Sequence, residues 1–297
     1  MNRREFLRTS ISVIAGLSLG KLLRLGDENA ESAGLAPRIV VAKGPSAEAN
    51  TMKALDGLGG IGTFIKKGER VVIKPNIAWN KTPDQAATTN PAVVKALVQA
   101  AKKAGASEVI VIDYPCHPWN TTYVTSGMQA AVQEAGGTMK PPLRFRNVAI
   151  PGGVLLKEAE ILEEILNTDA IINVPIVKVH GSQSNVSIAM KNLMGVVKNR
   201  GYFHSTGLNQ CIADIASFVN VRLTVLDATR VLLTNGPQGP GTVKRLDTIA
   251  AGTDFVALDA FGTTLLGLSP ENVPHIKMAA GKGLGQADLS KVTIQYL

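Results

Sequence analysis

Lys178 and His180 close an otherwise apolar run, VPIVKVH (174–180), and the two-residue alternation of a strand puts both on one face while Val177 and Val179 take the other. Two groups able to carry positive charge at the end of a buried strand are costly unless something anionic or aqueous faces them. A little downstream, MKNLMGVVKNRGYFH (190–204) adds Lys191, Lys198, Arg200 and His204. On a helix Lys191, Gly195 and Lys198 fall at i, i+4 and i+7, so two ammonium groups flank a position without a side chain. Met190, Leu193 and Val197 form the neighbouring apolar stripe. A glycine there costs about 1 kcal/mol relative to alanine, which suggests close approach of something to the backbone. From Ala170 to Ala213 there is no Asp or Glu, where the chain average would supply about three. The cations lack local carboxylate partners, and this favours an anion site.

Other strand ends supply further polar groups: Lys74 and Asn76 in VVIKPN, Asp113 in VIVID and Asp227 in LTVLD. In a parallel α/β sheet ligands collect in the crevice beyond the strand C-termini. The resulting expectation is a small anionic ligand, a carboxylate or phosphate ester, held by Lys74, Lys178, Lys191 and Lys198. His180 and His204 would serve as acid/base or metal-binding groups, with Asp227 or Asp259 as their carboxylate partner. Asp254 reads as the N-cap of the helix TDFVALDAFG, so Asp259 in its second turn needs a separate reason. Burial and neighbouring ammonium groups should hold both imidazoles below the ordinary value near about 6.5.

Three patterns carry less. GLGGIG (57–62) matches the dinucleotide fingerprint in letters, but a helix precedes it and a strand follows, the reverse of what that chemistry needs; it reads as a helix C-cap and turn. DYPCHPW (113–119) reads as a proline-stiffened loop at the crevice, because the adjacent side chains of Cys116 and His117 diverge. NGPQGPG (235–241) is a turn cluster.

The elements that must position these residues are legible as alternating β-branched runs and helical patterns. RIVVAK (38–43), RVVIKPN (70–76), EVIVID (108–113), AIINVPIVKVH (170–180), RLTVLDA (222–228) and VTIQYL (292–297) read as strands. PAVVKALVQAAKKAG opens with Pro91 and closes at Gly105, the usual helix punctuation. KEAEILEEILNTD, GLNQCIADIASFV and TDFVALDAFGTTLLG read as further helices. Continuous apolar strands separated by helices predict an α/β fold, a mostly parallel sheet with helices on both faces. It would occupy 38–297 as one domain, with a possible sub-lobe boundary near residue 140 at Lys140-Pro141-Pro142.

The N-terminus has a charged segment with Arg3-Arg4 ahead of Phe6-Leu7, then the apolar run Ile11 to Gly20, too short to span a bilayer. This resembles a twin-arginine export signal over residues 1–32, so the partner expected there is the twin-arginine export machinery and the destination the periplasm or the outer side of the membrane. Membrane attachment follows only if the segment stays uncleaved. The net charge is +8; residues 1–32 hold five bases and four acids, so the remaining chain keeps +7. With only 13 Phe, Trp and Tyr and no basic run interleaved with them, base-stacking platforms lack material, and no nucleic acid is expected as a partner. With two cysteines, Cys116 and Cys211, no ordinary iron–sulfur cluster is expected, and which cofactor, if any, the protein uses is unknown from the sequence.

In combination, VVIKPN, TTNPAVVKALVQAAKKAGASEVIVID, VPIVKVHGSQSNVSIAMKNLMGVVKNRGYFH and NGPQGPGTVKRLDTIAAGTDFVALDAFG resemble the domain of unknown function 362 family over nearly the whole chain after the signal. Its K-x-H, Lys-Asn-Leu-x-Gly helix and downstream Lys and His map onto Lys178, His180, Lys191, Asn192, Gly195, Lys198 and His204. Many relatives carry ferredoxin-like cysteine motifs, which this chain lacks. The resemblance implies a fold without a reaction. Three functions remain open at this point: an enzyme using histidine acid/base chemistry, a non-catalytic binding protein for the same ligand, and a His/Asp metal protein.

Overall fold

In the computed structural model the described residues are 38–297, so the expected export segment lies outside them. Twelve strands are present among the described residues: β1 (Arg38–Lys43), β2 (Arg70–Pro75), β3 (Glu108–Val111), β4 (Thr138–Met139), β5 (Phe145–Ala149), β6 (Glu158–Leu162), β7 (Ala170–Val174), β8 (Ile176–Val179), β9 (Val186–Ser187), β10 (Leu223–Leu232), β11 (Val243–Gly252) and β12 (Thr293–Tyr296). Ten of them make one sheet in the order β12-β1-β11-β10-β7-β2-β3-β4, with β8 pairing β10 and β9. The pairs of β2 with β3 and β7, of β10 with β7 and β8, and of β3 with β4 are parallel, whereas β11 runs antiparallel between β1 and β10. The fold is a mixed, mostly parallel α/β sheet.

The helices are α1 (Ala47–Gly57), α2 (Pro91–Lys103), α3 (Trp119–Thr125), α4 (Met128–Glu134), α5 (Glu163–Leu166), α6 (Ala189–Asn192), α7 (Gly201–Thr206), α8 (Leu208–Phe218), α9 (Phe255–Leu265) and α10 (Pro274–Gly281). They cover both sheet faces. Strand alternation sends Val71, Ile73, Val109, Val111, Ile172 and Val225 into a core shared with α1, α2 and α4. Val72, Ile110, Ile171, Leu226 and Ala250 point the other way, against α8, α9 and α10. Local signals set the helix starts: Ser46, Asn90 and Asp254 accept hydrogen bonds from Ala49, Ala92 and Ala257 N–H, and Pro91 takes the first turn of α2. No helix among the described residues is long and apolar enough to cross a membrane.

Two expected elements come out differently. The run AIINVPIVKVH is two strands rather than one, because Pro175 has no N–H for a ladder; β7 pairs β2, and β8 continues beside β10. KEAEILEEILNTD, read as a helix, begins as β6, the partner of β5 in an antiparallel hairpin separate from the main sheet; only Glu163–Leu166 is helical. Its side chains alternate between buried Ala159 and Ile161 and partly exposed Glu158 and Glu160. Pairing with β5, from Ala149 opposite Glu158 to Phe145 opposite Leu162, decides this. The described residues, 38–297, pack as one compact unit.

Candidate functional site

The C-terminal ends of β2, β3 and β8 carry their polar residues to one edge of the sheet. There Lys74, Asn76, Asp113, Lys178, His180, Lys191, Asn192, Arg200 and His204 line a pocket of about 320 Å³, together with Cys116, Trp79, Ser187, Met194 and Gly195. Lys74, Lys178 and Lys191 are 0%, 1% and 7% exposed, so all three ammonium groups have left bulk water.

The three lysines differ in what receives their protons. Lys74 Nζ pairs with Asp113 Oδ1 at 2.6 Å and donates to Pro75 O at 2.7 Å and Asn192 Oδ1 at 2.9 Å. Those three acceptors match the three N–H bonds of an ammonium. Burial pulls Lys74 down from its ordinary value, and Asp113 pulls it back up. Lys178 Nζ donates to Asn76 Oδ1 (3.1 Å) and Ala87 O (2.6 Å), two neutral oxygens. Burial lowers Lys178 to about 7. Lys191 Nζ has one acceptor among the described residues, the Met194 thioether at 3.4 Å, and burial lowers it to about 8.

Asn192 ties the strand ends together. Its Oδ1 accepts from Lys74 Nζ and Asn76 Nδ2, and its Nδ2 donates to Lys74 O and to Asn173 Oδ1. Asn173, in the middle of β7, in turn donates to Ala189 O and so anchors α6. A buried asparagine inside the apolar run AIINV is the one sequence signal for this residue, and polarity at strand ends alone does not find it.

His180 is half-buried, and its Nδ1 accepts the Ser182 backbone N–H at 3.1 Å. An acceptor nitrogen cannot carry a proton, so the neutral ring holds its hydrogen on Nε2. Desolvation first, then the charges of Lys191 and Lys178, push His180 down to about 3. It is suited to donate one hydrogen bond to a bound oxygen. His204, exposed at the mouth, makes no hydrogen bond to the described residues; desolvation, Lys191 and Arg200 lower it from the ordinary histidine value.

Three residues expected at the site lie elsewhere. Lys198 is exposed, pairs with Glu160 at 2.7 Å and does not line the pocket. The reason is that the helix carrying Lys191 is short: α6 passes into a 3-10 turn over Leu193–Val196, and Val197 is extended, bridging Ile161 of β6. That break destroys the i, i+7 relation and hands Lys198 a carboxylate from the hairpin. Asp227 accepts from Asn90 N–H, Thr229 N–H and the Thr229 hydroxyl, fastening β10 to the start of α2; burial raises it from the ordinary carboxylate value. Asp259 accepts from Ala189 N–H at 2.5 Å and Met190 N–H at 3.1 Å, so it holds the first turn of α6. Neither aspartate lines the pocket.

Arg200 enters in place of Lys198. Its guanidinium donates to Tyr114 O and Pro115 O and stacks 4.6 Å over the Tyr114 ring, locking the loop after β3 against the start of α7. Cys116 of that loop lines the pocket, and His117 does not; its Nδ1 accepts Asn80 N–H. Among the described residues no cluster of three or more His, Cys, Asp or Glu could hold a metal ion.

Fold and site together define a mixed α/β domain with a cationic pocket at the C-terminal ends of its parallel strands. The chain belongs to the family described as Domain of unknown function (DUF362), which matches residues 71–264. A relative, the thylakoid-associated protein sll1697 of Synechocystis sp., is 29% identical over 248 residues, covering 78% of this chain and 73% of that protein. Among solved structures, the lactate racemase apoprotein from Thermoanaerobacterium thermosaccharolyticum is similar with a TM-score of 0.46 at 14% identity, over 79% of this chain and 57% of that one. A Thermotoga maritima protein is similar with a TM-score of 0.43 at 11% identity, over 80% of this chain and 60% of that one. The chain therefore spans less than two thirds of the length of either solved protein.

Proposed function

We propose that the pocket binds a small carboxylate or phosphate ester and that the protein is an exported enzyme acting on that ligand. The charge balance supports this reading: even without Lys178, the cations Lys74, Lys191 and Arg200 line the pocket against a single carboxylate, Asp113, which Lys74 and the Ile77 N–H already occupy. Lys191 carries the argument: it is a buried ammonium with one thioether for company, and a ligand oxygen would complete it. His180 Nε2–H would donate to a ligand oxygen. His204, free at the mouth, would move the proton.

Calorimetric titration with a panel of organic acids and phosphate esters tests the reading. Lys191→Gln should weaken binding of the best ligand at least about tenfold, the worth of one charge-assisted contact. Lys103→Gln, on the exposed side of α2, should leave it unchanged. Equal small effects at both positions would return Lys191 to a structural role.

A further inference from the structure

We propose that Lys178 is a covalent nucleophile, whose ε-amine forms an imine with the carbonyl of a small 2-oxo acid while Lys191 and Arg200 hold the carboxylate. This rests on the anion-binding reading and names its substrate class. The observation behind it is the ordering of the three buried lysines by acceptor number. Lys74 has three, one of them charged, and is built as an ammonium. Lys178 has two, both neutral, at 3.1 and 2.6 Å. An amine has two N–H bonds and one lone pair, so two acceptors satisfy the neutral form completely and leave the third tetrahedral direction for the lone pair. Lys191, lacking an oxygen acceptor among the described residues, is completed by the anion instead.

Burial favours the same division. Lys178 faces Lys74 from β2, Lys191 from α6, and Asp113 and Cys116 from the loop after β3; burial is the chief cause that lowers it, Cys116 and Asp113 oppose the shift, and the ammonium groups of Lys191 and Lys74 add to it. Burial lowers both Lys178 and Lys191; of the two, Lys178 has two N–H groups met by oxygens and a lone pair left over, and this makes it the nucleophile.

The step balances without a redox partner. The Nζ lone pair attacks the carbonyl carbon, the C=O π pair moves to oxygen, and one Nζ proton passes to that oxygen to give a neutral carbinolamine. His204 is the candidate to protonate the departing hydroxyl. Water leaves as the C=N bond forms, and the net change is amine, carbonyl and the one proton delivered by His204 to protonated imine and water. A protonated imine keeps one N–H for Ala87 O.

Trapping decides it. The wild-type protein is incubated with glyoxylate or pyruvate, reduced with borohydride, digested and mapped by mass spectrometry. The expected result is one reduced adduct, on the peptide bearing Lys178, whose formation rises with pH through about 7 rather than through the ordinary lysine value of 10.5. Lys178→Met should lose it, and Lys191→Gln should lower it at least tenfold. Adducts spread over exposed lysines with Lys178 unmodified would overturn the proposal, and the wild-type map alone suffices for this even if a variant fails to fold. Acetate and inorganic phosphate separate the two readings, since neither offers a ketone or aldehyde. Binding of these anions without trapping removes the imine and leaves the anion site; absence of both removes the anion site as well.

Discussion

Three lysines of one residue type occupy one pocket and are made different by the oxygens around them. Lys74 has a carboxylate partner, Lys178 two neutral oxygen acceptors and Lys191 a single thioether. The histidines divide in the same way. With its Nδ1 filled by the Ser182 N–H, His180 would have to bring two N–H groups face to face on protonation, and burial and Lys191 oppose the charge too. In a nitrogen-resolved NMR titration, His180 should remain the Nε2–H tautomer from its ordinary 6.5 down toward about 3. His204 should titrate at the mouth, below 6.5, and respond to a bound anion. An ordinary His180 titration near 6.5 would show that the Ser182 contact does not govern the ring.

At the scale of the element, the segment from α6 to Val197 is held from three sides. Asp259 of α9 accepts from its first two N–H groups, Asn173 of β7 donates to the Ala189 carbonyl, and Ile161 of β6 bridges its end. Gly195 sits where a Cβ would collide with Asp113 Oδ1 and lie 2.7 Å from Lys74 Nζ. The close approach that its sequence position suggested is the buried ion pair itself. Gly195→Ala should therefore force Lys74 and Asp113 apart, destabilise the protein by about 1–3 kcal/mol or more and weaken anion binding. Gly62→Ala, a glycine with open space at its Cβ, is the control. Urea unfolding of the two variants checks the difference; equal midpoints would mean that the segment can shift freely.

For the whole molecule the buried lysines set an unusual pH dependence. Their ordinary value is 10.5, and the folded protein holds Lys178 near about 7 and Lys191 near about 8. Between those values and 10.5 the unfolded chain binds more protons than the folded one, so stability rises with pH across that window. Below about 7 both states are protonated and these groups contribute no slope. The rise is at most about 1.4 kcal/mol per pH unit for each group. Urea midpoints should climb from neutral toward alkaline pH, and the double variant Lys178→Met, Lys191→Met should flatten the climb; a wild-type midpoint that falls over the same range would contradict the assignment. Export is a separate matter, resting on Arg3-Arg4 ahead of Phe6-Leu7. Replacing both arginines by lysine should leave folded precursor in the cytoplasm on cell fractionation, and unchanged export would remove the twin-arginine reading.

The sequence alone determined what local chemistry can write: the apolar strands, the caps at Asn90 and Asp254, the mostly parallel sheet with helices on both faces, and the polar ends of β2 and β8 that reach the pocket. It also marked Gly195 as a point of close approach. Only the tertiary structure decided the partners. Lys198 took Glu160 from a hairpin whose first strand the sequence left unassigned and whose second it read as a helix, and Asp227 and Asp259 turned from the crevice to hold backbone N–H groups. Arg200 and Asn173 joined the site through contacts across 86 and 16 positions. Hydropathy and capping act within a few residues along the chain, whereas a charge is settled by whichever acceptor folding brings within about 3 Å.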